Sequence, residues 1–400
     1  MSETALDGVR VLEYCNFISG PYCAKLLADL GAEVIKIEKP VTGDEARQKG
    51  PFPEDIAHPE RSGLFLYLNT NKMGITLNPE TPAGKKIFTK LVKDTDILIE
   101  DTTPGTMECL GLGYKFLKEV NPSIIMTSIT PYGQTGPYRE YKAQHLNVYH
   151  MSGQAHFAHM IKLSEGQAPV KSGGYVGDYD AGLSGAVATM AALYKRNLSG
   201  TGQQIDVSRQ EAMISLDRVD MGYVINDTGI NNAGGRLVGG LMPCKDGYVV
   251  VVAPLQHQWE ALVKLMGNPE WALGEKCRDE FTRADNAVEI QPLIEEWMLQ
   301  HTMKEIYHRG QEFGCPVGPV NTAEDIFNSP QMKEREFFVD IEHPEIGRVN
   351  FPSASYIFSE TPWQVTHAAP LLGANNGDIY SGRLGYSDED IAKMKAEGTI

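Results

Sequence analysis

The best candidate for chemistry in this chain is a carboxylate within residues 173–185. Glycines come first, Asp178 and Asp180 follow, and a run of small residues predicts a helix over residues 181–195. A carboxylate at the start of a helix meets free N–H groups and the positive end of the helix dipole, which keep it ionised. Asp178 therefore suits a nucleophile or a base, although the same position also suits a plain N-cap. Asp180 is interpreted as a first-turn acid that interacts with the dipole.

Two other groups of residues could carry chemistry. Four histidines within a short span could bind a metal, but no acidic or thiol cluster with ligand spacing lies near them, which favours packing and hydrogen bonding (His145, His150, His156 and His159). Cys315 is surrounded by prolines and glycines, which indicate a tight turn rather than a nucleophile. The sequence has no Walker A, H-E-x-x-H or G-x-S-x-G motif. No metal is expected.

Length and charge narrow the class of protein. A chain of 400 residues suits one very large domain or two ordinary ones. The net charge of −16 argues against nucleic acid or an anionic membrane as a partner, and it means that an anionic ligand needs a locally basic pocket. No apolar run approaches the roughly 18 residues of a spanning helix. Because the polar N-terminus lacks the apolar region of a signal peptide, the expected location is the cytoplasm.

Strand and helix patterns alternate along the first 130 residues. Helical patterns begin at Gly20-Pro21 and at Pro82, and buried-strand patterns occupy residues 9–13, 33–38, 96–100 and 123–129. Alternation at these lengths predicts a doubly wound parallel sheet, which is the α/β class. The turn after the first strand lacks G-x-G-x-x-G, so a dinucleotide cofactor is poorly supported.

The middle of the chain has a different composition. Residues 226–247 are rich in Gly and Asn and predict a loop or a crossing between domains. A strand at residues 248–252 and helical patterns within 256–313 then indicate a smaller α+β domain. Residues 40–70, rich in Pro, Gly and charge, are expected to form a long surface loop.

Short motifs recur along nearly the whole chain. The N-terminal part carries Val11-Leu12-Glu13, then Gly20-Pro21, then LLADLGAEVIKIEKP at residues 26–40. Later motifs are Asn71-Lys72, Pro104-Gly105, LGLGY at 110–114, GQTGP at 133–137, Gly177-Asp178, GTGQ at 200–203 and APLLG at 369–373. In identity and order these motifs resemble those of the family III CoA-transferases. The family includes formyl-CoA and carnitine CoA-transferases, and α-methylacyl-CoA racemase shares its fold.

The resemblance implies a fold and an assembly. A Rossmann-like large domain with a parallel sheet is expected from residues 1–225 and 326–400, and a smaller α+β domain with its linkers from residues 226–325. Dimers of the family interlock, with each chain passing through a hole in the other. An interlocked dimer is therefore expected, either of two identical chains or with a related subunit.

The resemblance also implies that Asp178 is the nucleophile. Its carboxylate would attack an acyl-CoA thioester to give a mixed anhydride, which the released CoA thiolate converts to an aspartyl-CoA thioester. A carboxylic acid would then repeat the exchange. The expected substrates are thus coenzyme A as an acyl-CoA and a carboxylic acid, and backbone N–H groups of a glycine loop would stabilise the oxyanions.

Further positions match or replace the family's CoA-binding residues. Lys39 matches a CoA contact, Lys72 lies in a segment beside the CoA site, and Leu77 matches an apolar contact. The family's Glu-Asn-Phe is here Glu100-Asp101-Thr102, which removes an aromatic wall and adds negative charge near the nucleotide. The glycine-rich loop that covers the nucleophile is loosely matched by four glycines (Gly234, Gly235, Gly239 and Gly240).

Three functions stay open on the sequence. The first is a CoA-transferase that acts through Asp178. The second is a subunit with a degenerate CoA site that works with a related chain, which is motivated by the departures above and by Cys109 and Ile18 in place of an arginine and a glutamine. The third is a 2-methylacyl-CoA racemase with Asp178 as a base. Racemases pair that aspartate with an upstream histidine, and an ungapped count puts Gln144 at the position, with His145 one residue away.

Overall fold

The chain divides into two compact units. A computed structural model describes residues 4–157, 168–216 and 238–400. Unit 1 comprises the described residues within Met1–His159, Glu165–Gly222 and Glu336–Ile400, and unit 2 comprises those within Tyr223–Arg335. The domain boundaries given above stay a prediction.

Unit 1 is built on a six-stranded parallel sheet. Its strands are β1 Arg10–Tyr14, β2 Glu33–Glu38, β3 Lys72–Thr76, β4 Ile97–Glu100, β5 Ile125–Thr130 and β6 Gln204–Ser208. The strand order is β3-β2-β1-β4-β5-β6, and every neighbouring pair is parallel. This order is that of a doubly wound sheet, so the predicted α/β class is confirmed. The direction in which strands are added reverses between β1 and β4.

Nine helices precede and follow these strands in the described part of unit 1 up to residue 216. They are α1 Ser19–Ala28, α2 Gly63–Leu68, α3 Pro82–Lys93, α4 Thr106–Cys109, α5 Tyr114–Val120, α6 His145–Met151, α7 Gln154–Phe157, α8 Val176–Ser199 and α9 Arg209–Leu216. Two short 3-10 helices lie at Glu45–Gln48 and Pro53–Asp55. The long surface loop expected at 40–70 is therefore wrong in part, because Phe65 and Leu66 of α2 are buried in a small cluster with Ala46 and Ala369.

Both faces of the large sheet are apolar. Val11 and Ile97 belong to a buried cluster with residues of α1 and α8, whereas Leu12 and Leu98 belong to a second cluster with residues of α3 and α5. Neighbours along a strand point to opposite faces, so an uninterrupted apolar run can bury both sides of a sheet. This is why the strands form the centre of unit 1 with helices packed on both faces.

Unit 2 contains an antiparallel sheet in the order β7-β8-β9 and several helices. The strands are β7 Gly239–Cys244, β8 Gly247–Val252 and β9 Val317–Pro319. The helices are α10 Gln256–Leu265, α11 Glu280–Asp285, α12 Ala287–Met298, α13 Met303–Phe313, α14 Ala323–Asn328 and α15 Pro330–Glu334, with 3-10 helices at Glu270–Leu273 and Glu275–Cys277. The loop predicted over 226–247 is thus wrong for residues 239–244, which pair with β8 along its full length.

The C-terminal residues return to unit 1. They form the antiparallel hairpin β10 Phe338–His343 and β11 Gly347–Pro352, a π-helix at Gly377–Arg383 and α16 Asp388–Ala396. Ile379, Tyr380 and Met394 join the same buried cluster as Leu12. The Tyr380 hydroxyl donates a hydrogen bond to the backbone oxygen of Thr76, at 2.6 Å. Among the residues that the structure describes, no helix combines the length and the apolarity needed to cross a membrane.

Candidate active site

A cavity of about 490 Å³ in unit 1 contains the candidate nucleophile in its wall. Its lining includes residues that follow three parallel strands: Ser19 after β1, Asp101 after β4 and Arg209 after β6. It therefore lies at the carboxyl edge of the sheet, where the strand order reverses. Doubly wound sheets bind ligands at this edge because the loops on both sides of the reversal diverge and leave a crevice.

Helix α8 presents Asp178 from its first turn. The helix starts at Val176, earlier than residues 181–195 predicted, because Gly177 and Gly182 pack tightly there in spite of their weak helix propensity. Tyr175 is the N-cap residue, and Asp178 is a first-turn acid with 1% of its surface exposed. The interpretation of Asp178 as a plain N-cap is therefore wrong, and so is the first-turn position given to Asp180.

Three side chains surround the Asp178 carboxylate. Arg209 Nη1 lies 2.5 Å from Asp178 Oδ1, and the Ser19 hydroxyl donates to the same oxygen at 3.2 Å. His145 Nδ1 lies 2.9 Å from Asp178 Oδ2, although its N–H direction departs from that of a regular hydrogen bond. Ser19, His145 and Arg209 are each the first residue of a helix, α1, α6 and α9. Three helix starts therefore converge on one carboxylate.

These partners decide the charge of Asp178. Burial on its own would raise the pKa of the carboxyl, because a charge loses its hydration. The contact with His145 and the positive charge of Arg209 outweigh that effect and hold the pKa of Asp178 below its ordinary value. The carboxylate is thus ionised at neutral pH, as a nucleophile requires.

Close packing of α1 against α8 brings Ser19 to Asp178. A Cβ atom on Gly182 would lie 2.6 Å from the Ser19 backbone oxygen and 3.1 Å from the Tyr22 ring. A Cβ atom on Gly185 would lie 3.4 Å from the Cys23 sulfur of α1 and 2.8 Å from the Ile129 side chain of β5. The small residues of α8 are therefore required where the two helices meet, and the tight central helix is explained by contact rather than by propensity.

His145 is the histidine beside the aspartate, and the ungapped count that selected Gln144 is wrong. Gln144 is the residue that precedes α6, and its backbone N–H donates to Asn147 Oδ1 at 3.0 Å. The His145 ring is buried between aromatic neighbours, with ring centroids 5.6 Å from Tyr175 and 5.7 Å from Tyr149. Its Nε2 atom has no hydrogen-bond partner within the described ranges.

The two candidate CoA-binding lysines lie in different surroundings. Lys39 directly follows β2 and is exposed, at the carboxyl edge of the sheet. Lys72 is buried, and its ammonium contacts Glu13 Oε2 at 2.7 Å and the Pro21 backbone oxygen at 2.8 Å. Burial lowers the pKa of Lys72 to about 8, against the opposing effect of Glu13. Lys39 is free to reach a phosphate, whereas Lys72 would first have to leave its ion pair.

The replaced motif Glu100-Asp101-Thr102 lines part of the cavity through Asp101 and Thr102. Both oxygens of Asp101 accept from the Asn16 N–H, at 2.9 and 3.1 Å. Burial holds the pKa of Asp101 well above its ordinary value, aided by Glu100 and against the Asn16 N–H. Both Asp101 oxygens are therefore already engaged with a backbone donor at this edge of the cavity.

The remaining candidate CoA-binding residues are Leu77 and four glycines. Leu77 is buried, and the two glycines that the structure describes lie in unit 2. Leu77 is 1% exposed and belongs to the core of the sheet. Gly239 and Gly240 have φ values of 118° and 85° and belong to β7 of unit 2, where Gly239 exchanges hydrogen bonds with Gln291. Gly234 and Gly235 lie outside the described residues. Their roles toward CoA stay predictions.

Cys315 and the remaining histidines were the other candidates for chemistry. Cys315 is buried in unit 2, and burial raises the pKa of its thiol to about 11, so its thiolate is scarce at neutral pH. His150 is exposed, and His159 lies outside the described residues. In the three described ranges, no group of three or more His, Cys, Asp or Glu side chains is arranged to hold a metal ion.

Sequence reasoning missed Ser19 and Arg209. Each is the first residue of a helix that directly follows a strand or its short turn, at the carboxyl edge of a parallel sheet. A search of those positions for polar residues would have found both. That they meet at Asp178 could not be read from the sequence, because Ser19 is 159 residues away from it along the chain.

Comparison with known proteins decides the family. The model of CoA-transferase family III matches residues 6–376. The chain belongs to that family. The resemblance seen in the motifs is thereby confirmed, and the family's enzymes transfer CoA.

Family III relatives of known activity align with the whole chain. The formyl-CoA:oxalate CoA-transferase of Streptomyces avermitilis is 32% identical over 420 residues, which cover 99% of this chain and 99% of the relative. The succinyl-CoA–L-malate CoA-transferase alpha subunit of Chloroflexus aurantiacus is 34% identical over 411 residues, which cover 100% of this chain and 93% of the relative. The CoA donor and the acceptor acid differ between these relatives. Similarity alone therefore does not identify the donor or the acceptor of this chain.

Solved structures of the family share the fold. A CAIB/BAIF family protein from Brucella suis aligns with a TM-score of 0.83 and 29% identity, covering 96% of this chain and 100% of the other. The chain therefore shares its fold with that CAIB/BAIF family protein.

Proposed function

We propose that this chain moves CoA from an acyl-CoA donor to a carboxylic acid through an aspartyl-CoA thioester on Asp178. The observation that carries the proposal is the state of Asp178. It is a buried carboxylate in the wall of a cavity at the carboxyl edge of the sheet, and its pKa is lowered, against the effect of burial, by His145 and Arg209. A group held ionised in this way is ready to attack a thioester carbonyl without prior deprotonation.

The reaction proceeds in four exchanges. Asp178 attacks the donor thioester, which gives a mixed anhydride and the CoA thiolate. The thiolate attacks the Asp178 carbonyl, which gives the aspartyl-CoA thioester and the donor acid as a carboxylate. The acceptor carboxylate then attacks the aspartyl thioester and expels the CoA thiolate. This thiolate attacks the acceptor carbonyl of the second anhydride and returns Asp178 as a carboxylate, so the thioester energy is conserved.

Each tetrahedral intermediate carries an oxyanion that needs donors. The first turn of a helix has N–H groups without partners inside the helix. Ile18 and Ser19, at the start of α1, line the cavity next to Asp178. We assign the oxyanion contacts to these N–H groups and to the Ser19 hydroxyl. A contact from a glycine loop is then not required.

CoA itself needs local cations in a chain of net charge −16. Lys39 is the lysine we assign to a CoA phosphate, because its exposed side chain leaves the carboxyl edge of β2 beside β1. Thr102 and Asp101 would contact CoA along the cavity, and Lys72 and Leu77 would support the site from the buried layer beneath. Residence in the cytoplasm and assembly as a homodimer or as a heteromer with a related subunit belong to the same proposal.

The racemase alternative meets a geometric difficulty. Two bases that move a proton from one face of an α-carbon to the other must stand on opposite sides of that carbon. His145 and Asp178 are 2.9 Å apart and leave no room for a carbon between them. A transferase, which needs only the carboxylate, fits this arrangement better.

The activity test pairs Asp178→Asn with Asp180→Asn. Formyl-CoA and succinyl-CoA are supplied with a panel of carboxylic acids, and the new thioester is measured. Loss of the nucleophile should lower transfer at least about a thousandfold, whereas Asp180, which has no side-chain contact with Asp178, should matter little. Full transfer by Asp178→Asn would refute the proposal. Exchange of the α-proton without transfer would favour the racemase, and activity only with a second chain would favour the partner subunit.

A further inference from the structure

Arg209 stands at the candidate nucleophile with part of its hydrogen-bonding capacity unused. Its Nη1 contacts Asp178 Oδ1 at 2.5 Å, and its side chain, 17% exposed, lines the cavity. A guanidinium has five N–H donors in a planar fork that matches a carboxylate. Within residues 4–157, 168–216 and 238–400, Arg209 makes no other ion pair or side-chain hydrogen bond.

The other charged side chains in the cavity wall do not pair with Asp178, and one of them, Lys142, is exposed. Arg139 is exposed and pairs with its neighbour Glu140, and Asp101 is held by the Asn16 N–H. Arg209 is thus the cation that directly contacts the nucleophile. Its charge is balanced by Asp178 only while that carboxylate is ionised.

The proposed chemistry changes this balance. When the Asp178 carboxylate becomes an aspartyl-CoA thioester, it loses its negative charge, and Arg209 is left as a largely buried cation without a partner. An uncompensated buried charge is costly, so the site at this stage favours any anion that can replace the lost carboxylate. The acid released from the donor, and then the acceptor acid, are anions of the required kind.

We propose that Arg209 binds the carboxylate of the departing and the incoming acid whenever Asp178 carries CoA. This inference rests on the proposed function. In the first half of the reaction the donor carboxylate is released beside Arg209 as the thiolate forms its bond to the Asp178 carbonyl. An acceptor carboxylate takes its place, attacks the same carbonyl and expels the thiolate. When Asp178 is freed as a carboxylate, it returns to Arg209.

Arg209 is therefore a specificity-determining residue for the acid. It selects a carboxylate over a neutral amide or ester of the same shape, because only the anion replaces the charge of Asp178. It also places the acid oxygen near the carbon that it attacks, since the same guanidinium holds Asp178 in the resting site.

A binding experiment tests this exchange without any acyl-CoA. Asp178→Asn has the shape of the carboxylate without its charge, and so resembles the acylated state. Formate is the probe, because it is small enough for the cavity, and formamide is its neutral counterpart. We expect Asp178→Asn to bind formate at least about tenfold more tightly than the unaltered protein, as followed by NMR titration. Formamide should show no such gain, and Asp180→Asn should behave as the unaltered protein.

The double variant Asp178→Asn, Arg209→Met decides whether the gain belongs to Arg209. We expect it to lose the tighter formate binding. Equal formate binding by the single and the double variant, or no gain in Asp178→Asn, would overturn the inference. Thermal unfolding checks that each variant is folded, and Asp178→Ala replaces Asp178→Asn if the latter is not.

Kinetics give a second, independent readout. Arg209→Met should raise the KM for the acceptor acid about a hundredfold, with a much smaller effect on the KM for acyl-CoA, and Arg209→Lys should recover part of the loss. Equal effects on both KM values would show that Arg209 only positions Asp178, and would also overturn the inference. Retained transfer by Asp178→Asn would instead remove the proposed function, so the two failures are distinguishable.

Discussion

The Asp178 carboxylate keeps its charge in a buried place because a permanent cation and an imidazole both contact it. Arg209 contacts Oδ1 and His145 contacts Oδ2. Because the pKa of Asp178 in the folded protein lies below the unfolded value of 3.8, the ionised group stabilises the fold above that pH. This stabilisation is lost as the pH falls through the lower folded value. The nucleophile therefore does not limit activity near neutral pH.

Replacing His145 should move the acid limb of the reaction. In His145→Phe the contact that helps to lower the pKa of Asp178 is gone and burial remains, so the pKa rises. We expect the rate of aspartyl-CoA formation to decline at a higher pH than in the unaltered protein, as measured by rapid-quench rates across a pH series. His150→Phe, an exposed change on the same helix α6, is the control and should leave the profile unchanged. Identical profiles for both variants would show that His145 does not act on Asp178.

At the scale of elements, the contact between α1 and α8 determines the geometry of the site. Gly182→Ala would gain up to about 1 kcal/mol from helix propensity if its surroundings were open. Its Cβ would instead lie 2.6 Å from the Ser19 backbone oxygen, which a side-chain rotation cannot relieve. We expect a net loss of about 1–3 kcal/mol in the free energy of unfolding, measured by denaturant titration, together with loss of transfer.

Gly173→Ala is the matched control for this contact. A Cβ at Gly173 meets nothing within 4 Å, and the residue lies close to Asp178 in sequence. It should change the free energy of unfolding by less than about 0.5 kcal/mol. A stable and active Gly182→Ala protein would show that α1 need not approach α8 this closely.

Two lysines with the same expected role should behave differently. Lys72→Met removes one of the two ammonium groups that contact the buried Glu13 and leaves Lys36, so the loss in the free energy of unfolding should be about 1–3 kcal/mol. Lys39→Met should change that energy by less than about 0.5 kcal/mol and raise the KM for acyl-CoA several-fold instead, because its exposed side chain has only the ligand to bind. Denaturant titrations and KM measurements on both variants separate the roles. A stable Lys72→Met protein with a raised KM for acyl-CoA would contradict the structural role given to Lys72.

The elements differ in how far their sequences predict them. Four strands of the large sheet, β1, β2, β4 and β5, follow from apolar runs and from their alternation with helices. The start of α8 does not, because Gly177 and Gly182 are poor helix residues that are accepted for close packing. β7 was missed because Gly239 and Gly240 suggest a loop, whereas their strand conformation depends on pairing with β8, which follows later in the chain. Contacts between distant residues decide both cases.

The same limit applies to the site. Asp178 could be selected because a carboxylate near a helix start has a local chemical meaning. Arg209 and Ser19 become part of the site only because the sheet brings the starts of α9 and α1 together. Their spacing along the chain does not predict this. The ungapped count selected Gln144 and so missed His145, the next residue. Successive residues of a helix such as α6 point to different sides, so a shift of one residue changes which side chain faces the site.

At the scale of the whole molecule, α8 carries an exposed apolar stripe. Val176, Leu183, Val187, Tyr194 and Leu198 lie on one face of the helix and are between 44% and 71% exposed. Rows of large apolar side chains at this spacing usually face a partner. The stripe supports the proposed dimer, with a second copy or a related subunit covering it.

Interlocking can be tested by subunit exchange. Two differently tagged copies are produced together in one culture, and separately in two. We expect native mass spectrometry to find mixed-tag dimers only after joint production, since interlocked chains cannot part without unfolding.

Leu183→Glu with Leu198→Glu should reduce the dimer fraction, because charges would face the apolar partner surface. Leu273→Glu, a comparably exposed change in unit 2, is the control. A monomeric unaltered protein would contradict the proposal.

The most direct measurement is the mass of the peptide that contains Asp178 after reaction with acyl-CoA. The protein is incubated with succinyl-CoA or formyl-CoA, treated with hydroxylamine, digested and sequenced by mass spectrometry. An aspartyl-CoA thioester or anhydride at Asp178 reacts with hydroxylamine, so we expect a hydroxamate on Asp178 and none on Asp180, with loss of activity in proportion. Transfer of CoA that proceeds while Asp178 stays unmodified would contradict the account.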